Sequence, residues 1–490
     1  MSTLEPRKSS IHDEREADTM TMGKKNGSII EAQVDLEFRA CEKRIVRKLD
    51  MTLVPMIFIL YLFNYLDRNN IAQAKLDTFM EDLGLGGSDY STAVSIVNVG
   101  YILMQLPSNM ILTKVRPSLY IPFWVCIWSC VSASTAGTHN FSGLIGVRII
   151  LGICEAPFFP GVFYLLSCWY TKKELALRYA ALYSGLVLAT ATSGLLAAAI
   201  FAGLDGAHGL AGWKWLFIIE GAVSFGMGLL AFLLIPDLPG MNSGSGRWLL
   251  TDEENRVAVE RMRRDAVSNQ DDNESLRHGL KLAVMDVKVW IFSFIMCSSQ
   301  SAYGFNQFYP TIVEGFGLGS RTITLACTAP PYIIGACVAW CIAWSSDRRK
   351  ERGFHIFFPV CVAIVGFIIS VATLNIPVRY FASFLYISGI FGANSVVFSW
   401  AATTVSDTAQ NKACAMAIIN ITGQLGSVWS PYFFHENESP RYITAMILLL
   451  AFAVCMASLC LIMKVLLKRE NRKLVAKGEE EGVVPNLYTL

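Results

Sequence analysis

Charged residues are scarce in this chain of 490 residues: Asp, Glu, Lys and Arg supply 16% of it, against about a quarter in soluble globular chains. Its 41 Lys and Arg nearly balance its 39 Asp and Glu. There is no surplus of positive charge for a nucleic acid, and no basic patch is interleaved with aromatics. Metal-ligand patterns are missing as well. The 13 cysteines fall mostly inside apolar runs, as at Cys126, Cys130, Cys154, Cys327, Cys341 and Cys455, and none pairs with histidine at ligand spacing. They read as small hydrophobes facing lipid or a neighbouring helix. No nucleophile–base cluster stands out, so no metal, no cofactor and no enzymatic activity are expected. No cleavable signal peptide is expected either. Residues 1–48 are polar and mixed in charge and read as a disordered cytosolic tail.

What is present is apolar sequence, 53% of the chain. It comes in runs of about 20 residues, the length that crosses a hydrocarbon core of about 30 Å. These runs predict helical spans at 51–74, 90–112, 119–137, 143–169, 179–203 and 213–235. After a polar stretch come six more, at 287–312, 322–345, 354–375, 380–405, 412–434 and 441–466. The expectation is an all-α, multi-pass membrane protein of twelve transmembrane helices, its outer surface in contact with the lipid bilayer. Its halves run over 49–236 and 287–466, joined by a cytosolic linker at 237–286 and followed by a cytosolic tail at 467–490. Within the linker, Thr251 and Glu254 have capping-box spacing and predict a short helix over 252–265, read as a strut between the halves. Gly185, Gly194, Gly423 and Gly426 are small residues suited to close helix packing.

Lys and Arg near span ends set the orientation. Lys43, Arg44, Arg47, Lys48, Lys114, Arg116, Lys172, Lys173, Arg178, Arg348, Arg349, Lys350, Arg352, Lys468, Arg469 and Arg472 fall on one side, against the scattered Lys214, Arg321, Arg379 and Arg441 on the other. Both termini are therefore expected in the cytosol and the sequons at Asn140 and Asn437 outside.

An ionisable side chain at membrane depth costs at least about 2.5–3.5 kcal/mol, so each one is a functional candidate. Asp67 and Arg68 stand in span 1, Arg148 and Glu155 in span 4, and Glu220 in span 6. Arg148 and Glu155 are two helical turns apart and share a face, with roughly 10 Å between them. Gly152 lies on that face and leaves room for a ligand or a packed neighbour. Asp67 and Arg68 are adjacent and diverge by about 100°, so only the long Arg68 can reach across. Its guanidinium is shaped to grip a carboxylate with two hydrogen bonds. In span 7, Tyr303, Phe305, Asn306, Gln307 and Tyr309 are candidate pocket residues, as are Trp400 and Trp429.

Two six-span halves around a central site resemble the layout of the major facilitator superfamily. Phe63–Ala74 resembles the first helix of its anion:cation symporter family, and Arg148, Gly152 and Glu155-Ala156-Pro157 resemble the fourth. Pro107-Ser108-Asn109, Arg116-Pro117 and Trp169-Tyr170-Thr171-Lys172-Lys173-Glu174 resemble the fungal allantoate, nicotinate, pantothenate and biotin permeases. The resemblance covers roughly residues 45–465 and implies a major facilitator fold and secondary transport. It further implies that Asp67 and Glu155 are the protonatable pair, with Arg148 controlling the acid of its own helix. It assigns substrate contact to Arg68 and Tyr65, and to Asn420 and Gln424 in span 11. Fungal relatives often carry several Asn after span 10, where this chain has Trp400-Ala401-Ala402-Thr403-Thr404; the resemblance does not carry their substrates over.

Proton-coupled symport of a small organic anion is the expected function, in a monomer at the plasma membrane, with Tyr303 and Asn306 joining the substrate site. A drug:proton antiporter or metabolite exporter is the nearest alternative, against which Arg68 would repel a cationic drug. A non-transporting nutrient sensor is a third class, disfavoured by cytosolic segments too short for an obvious signalling domain.

Overall fold

The computed structural model describes residues 9–112, 115–241, 243–267, 276–405, 409–481 and 487–490. Each expected span is occupied by helix, although the helices of spans 1, 5 and 12 run well beyond the predicted ends. The first half contains α1 (Ser9–Ala74), α2 (Asp89–Leu112), α3 (Pro117–Ser134), α4 (Phe141–Glu155), α5 (Phe158–Trp169), α6 (Lys172–Leu204) and α7 (Gly212–Leu234). Predicted span 4 is thus two helices, α4 and α5, because Pro157 has no N–H to continue the ladder. The linker carries α8 (Asp252–Val267) and α9 (Leu276–Met285). The second half contains α10 (Val287–Ala302), α11 (Tyr309–Glu314), α12 (Arg321–Arg349), α13 (Gly353–Ala372), α14 (Ile376–Thr404), α15 (Ala409–Trp429) and α16 (Ile443–Glu481).

Among the described residues, nine helical segments are long and apolar enough to cross a membrane. The other three predicted spans are helical but more polar or interrupted. α2 carries Ser91, Ser95, Asn98 and Gln105, and α15 carries Asn411, Asn420 and Gln424. Span 7 passes through a tight turn at Tyr303–Gln307 between α10 and α11. These are segments that meet the opposite half, where a side chain faces protein and not lipid.

The segment read as a disordered tail is helical in the structure from Ser9 onward. Ile45, Leu49 and Leu53 recur at helical spacing and are fully buried, so the core draws α1 out beyond its apolar span. The linker helix docks on this extension. Lys48 Nζ donates to Glu254 Oε2 at 2.7 Å, and Arg261 pairs with Glu42 and Glu174. The capping box forms, with Glu254 N donating to Thr251 Oγ1 at 3.2 Å and Thr251 N to Glu254 Oε2 at 2.9 Å. These contacts fasten α8 to the first half.

The two halves are stitched together at the end of the bundle away from the termini, hereafter the far end. Arg321 at the start of α12 pairs with Asp77, just past α1, and with Asp205, just past α6, the latter at 2.8 Å. Three α2 side chains donate to carbonyls of the second half. They are Ser91 to Pro431 at 2.9 Å, Ser95 to Val428 at 2.6 Å and Asn98 to Ser427 at 3.2 Å. The last carbonyls of a helix have no partner within it, and α15 ends at Trp429, so α2 supplies donors where the partner helix lacks them. Lys75 Nζ sits 4.3 Å from the Tyr90 ring and 5.2 Å from the Phe308 ring, bridging the same seam. One apolar core runs unbroken across it, from Ile71, Phe79 and Trp213 to Phe305 and Ile312. A second core, with Leu53, Trp128 and Phe158, stays inside the first half.

Small residues set the closest helix approaches. A Cβ on Gly152 would lie 2.0 Å from the Val97 carbonyl oxygen, so α4 rests directly on the α2 backbone. The space left by Gly152 is filled by a helix and not by a ligand. A Cβ on Gly194 would meet Thr328 Oγ1 at 2.3 Å across the seam, and one on Gly426 the Cys297 carbonyl at 2.5 Å.

Candidate functional site

The ionisable residues of the spans converge inside the first half, one to two turns below the far-end seam. Arg68 comes from α1 and Glu155 from the last turn of α4. Arg68 Nε donates to Glu155 Oε2 at 2.5 Å. Glu155 is buried, whereas the Arg68 side chain keeps 17% of its surface exposed. The guanidinium lies 4.7 Å from the Tyr101 ring and 5.7 Å from the Tyr65 ring. Two aromatic faces and one carboxylate hold the cation, and its exposed edge can accept a second anion. Tyr65 therefore sits beside Arg68 as expected, packed edge-on to Tyr61 at 5.0 Å. Tyr101, on α2, was not foreseen; nothing in its sequence surroundings distinguishes it from an ordinary span aromatic.

Asp67 points the other way, as the angular argument requires. It is fully buried between α3 and α7, accepting from Ser132 Oγ at 2.9 Å and Ser224 Oγ at 3.4 Å. Arg148 departs from expectation. It is buried, stacked 5.6 Å from the Phe217 ring, and its Nε and Nη2 have no hydrogen-bond partner among the described residues. It does not form the anticipated ion pair with Glu155 in this conformation. Two turns of helix are too long a span for a direct contact, and Arg68 from the neighbouring helix fills the place. Arg148 stays near enough to act electrostatically on both Asp67 and Glu155.

Across the seam, Asn306 connects the halves. Its Nδ2 donates to Asn69 Oδ1 at 3.3 Å, and its Oδ1 accepts from Tyr332 OH at 2.8 Å. Asn69, Gln73, Ser193, Asn306, Thr328 and Tyr332 line a cavity of about 10 Å³, the space of a single water. Sequence reasoning named Asn306 but missed Asn69, Gln73 and Tyr332. The pair Asn69-Asn70 inside an apolar span was the signal that could have found the first. Tyr303 packs against Phe305 and Phe391 at 5.6 and 5.5 Å. Asn420 and Gln424 are half-buried on α15 and take no part in this hydrogen-bonded group among the described residues. Trp400, proposed as a pocket residue, is buried against Phe292 and donates Nε1 to the Thr489 carbonyl at 2.9 Å, at the end that carries the termini. A larger apolar groove of about 910 Å³ lies on the outer surface between α12, α13 and α14 and holds none of the site residues.

Comparison with known proteins agrees with this architecture. Residues 57–431 match the family model of the Major Facilitator Superfamily. The chain is 32% identical to the major facilitator-type transporter hxnP of Emericella nidulans, over 90% of its own length and 88% of that protein. It is 31% identical to the MFS-type transporter cnsO of Penicillium expansum, over 82% and 79% of the two chains. It is also 31% identical to the Pseudomonas putida protein NicT, named for metabolite transport, over 78% and 86%. Among solved structures, the fold is similar to a bacterial homologue of the human lysosomal transporter Spinster, with a TM-score of 0.67 and 14% identity over 84% and 96% of the chains. It is likewise similar to the D-xylose–proton symporter, with a TM-score of 0.61 and 14% identity over 82% and 96%.

Proposed function

This chain belongs to the Major Facilitator Superfamily and is a membrane transporter of that type, and on that premise we propose that it is a proton-coupled symporter of a small organic anion. The observation that carries the reading is the contact of Arg68 with Glu155. A guanidinium partly open to the interior and neutralised by one buried acid is a site where that acid and a substrate carboxylate compete for the same cation. When the acid is protonated, Arg68 is released to bind an anion. When the anion leaves, Arg68 returns to the acid and the proton is expelled. Binding of anion and proton are thereby linked, which is the thermodynamic content of symport.

The substrate class is a carboxylate of the size of nicotinate, allantoate or pantothenate, held by Arg68 and Tyr65 and met from the second half by Asn306, Tyr303, Asn420 and Gln424. Asp67, Glu155 and Arg148 supply coupling, and Arg148, which forms no ion pair among the described residues in this state, is available to Glu155 in another. The chain works as a monomer in the plasma membrane with both termini in the cytosol, which makes the sealed far end the outer face.

Uptake of nicotinate, allantoate and pantothenate into proteoliposomes, with and without an imposed pH gradient, tests the proposal. Accumulation that requires the gradient supports it. Uptake that ignores the gradient excludes proton symport, and failure of the whole carboxylate panel excludes the substrate class.

A further inference from the structure

Glu220 stands apart from the machinery above, yet it is as deeply placed as any of those residues. It lies on α7, is 1% exposed, and pairs with no cation among the described residues. Its one hydrogen bond comes from Asn70 on α1, whose Nδ2 donates to Oε2 at 2.6 Å. Two atoms of this pair are left over. Glu220 Oε1 and Asn70 Oδ1 are both buried without a partner. An ionised carboxylate and an amide oxygen are both acceptors only, so neither can satisfy the other. Buried polar atoms without partners are rare and costly, and a buried anion without a cation is costlier still. A single proton on Glu220 Oε1 removes all three defects. The carboxyl becomes neutral, Oε1 becomes a donor, and the Asn70 oxygen beside the donating amide gains the hydrogen it lacks. A carboxylic acid and an amide are complementary in this way, each offering the other one donor and one acceptor.

The surroundings contain little else that could balance a charge. From α1, Asp67 faces Glu220 and acts on it electrostatically. From α4, the Arg148 guanidinium lies over Phe217, one turn along α7 from Glu220. α3 offers Ser129, Ser132 and the exposed thiol of Cys130 at this level, and the turn after it offers Thr135. α6 has no ionisable side chain from residue 186 to its end. Asp67 and Glu220 also occupy successive rungs between the same two helices. Ser224, four residues from Glu220 on α7, donates to Asp67, and Asn70, three residues from Asp67 on α1, donates to Glu220. Both steps run toward the far end, so Glu220 sits about one turn nearer to it than Asp67.

We propose that Glu220 is a protonated carboxylic acid in this conformation, paired with Asn70, and that it passes its proton to Asp67 during the transport cycle. This rests on the proton-coupled reading of the site and extends it by one acid toward the far end. In the transfer the O–H bond of Glu220 breaks and one forms on the Asp67 carboxylate. Glu220 is left anionic, Asp67 neutral, and the total charge unchanged. Transfer between two buried acids avoids ever ionising both, which would place like charges one turn apart in a medium that screens them poorly.

Infrared difference spectroscopy on the full-length protein in lipid bilayers tests this without any substrate. Wild type at neutral pH is expected to show the carbonyl stretch of a protonated buried carboxylic acid. E220Q should abolish that band. N70L, which keeps Glu220 in place, should shift it, because the amide partner is gone; it also serves if E220Q does not fold. D67N should change the pH at which the band disappears, because the two acids share one proton. A spectrum of E220Q identical to wild type overturns the protonation, an unshifted band in N70L overturns the pairing, and an unchanged titration in D67N overturns the transfer. Uptake of nicotinate driven by a pH gradient is a separate measurement of symport, so either reading can fail alone.

Discussion

Arg68 Nε and Glu155 Oε2 meet at 2.5 Å, joining α1 to the point where α4 gives way to α5. The helix carrying the acid is interrupted two residues later by Pro157. The ion pair therefore sits at a joint in the backbone, and a change in that pair can be felt by the orientation of α5.

Arg68→Lys should impair transport strongly. A charged hydrogen bond is worth about 1.5–3 kcal/mol, so losing the second arm of a two-point grip should lower uptake by roughly 10- to 150-fold. The check is initial uptake rate at equal surface expression; a rate equal to wild type would remove Arg68 from the substrate site.

Glu155→Gln mimics the protonated acid and frees Arg68. Exchange of pre-loaded substrate should continue in this variant, while accumulation driven by a pH gradient should vanish. Asp67→Asn should uncouple transport in the same way. Both activities are measured in the same vesicles, so a protein that concentrates substrate as wild type does would show that Glu155 does not couple.

The Arg321 clasp should hold the far end shut. Hydrogen bonding to Arg321 keeps the Asp205 carboxyl below the usual carboxylate range, an effect that burial only partly opposes. The closed state therefore binds this proton more weakly than an open state in which the pair is broken. The contribution is present above the ordinary Asp value of about 3.9 and is lost as pH falls through the lower value of the closed state. Spin labels on Gly206 and Gly317, both in far-end loops, should report a wider distance in Arg321→Ala than in wild type at neutral pH. They should also report opening of wild type, and not of Arg321→Ala, at pH below about 4.

Gly152→Ala should destabilise the first half. Its new methyl would lie on the Val97 carbonyl, a backbone atom that can yield only by moving α2. Overpacking of this kind costs about 1–3 kcal/mol. The thermal unfolding midpoint in detergent should fall, whereas Gly146→Ala, with open space around the same helix, should leave it unchanged.

The spans were legible because the length of an apolar run is dictated by the membrane and not by the neighbours of each helix. The same logic failed for residues 36–48, where charge suggested a solvated tail; Ile45 and Leu49 are too few to register as a span but enough to bury one face. Arg68, Asp67, Glu155 and Arg148 could be picked out one at a time, since ionised groups at that depth are rare. Who pairs with whom could not. Helical spacing shows only partners on the same helix and pointed to Arg148, whereas Glu155 takes its cation from 87 residues away. Asn306 was legible as a polar residue in an apolar segment, but its partners Asn69 and Tyr332 come from α1 and α12 and are defined only by the packing of the halves.

The α2 seam has an evolutionary corollary. Ser91, Ser95 and Asn98 all address main-chain oxygens, a feature that every residue type offers alike. Positions 427, 428 and 431 are thus free to vary in side chain without loosening the closure, while positions 91, 95 and 98 are not. Drift along this contact is expected to be lopsided: the donor strip on α2 should stay polar among close relatives, and the facing stretch should wander, with any retuning of how firmly the far end shuts arising from single changes on one helix and needing no matching change on the other.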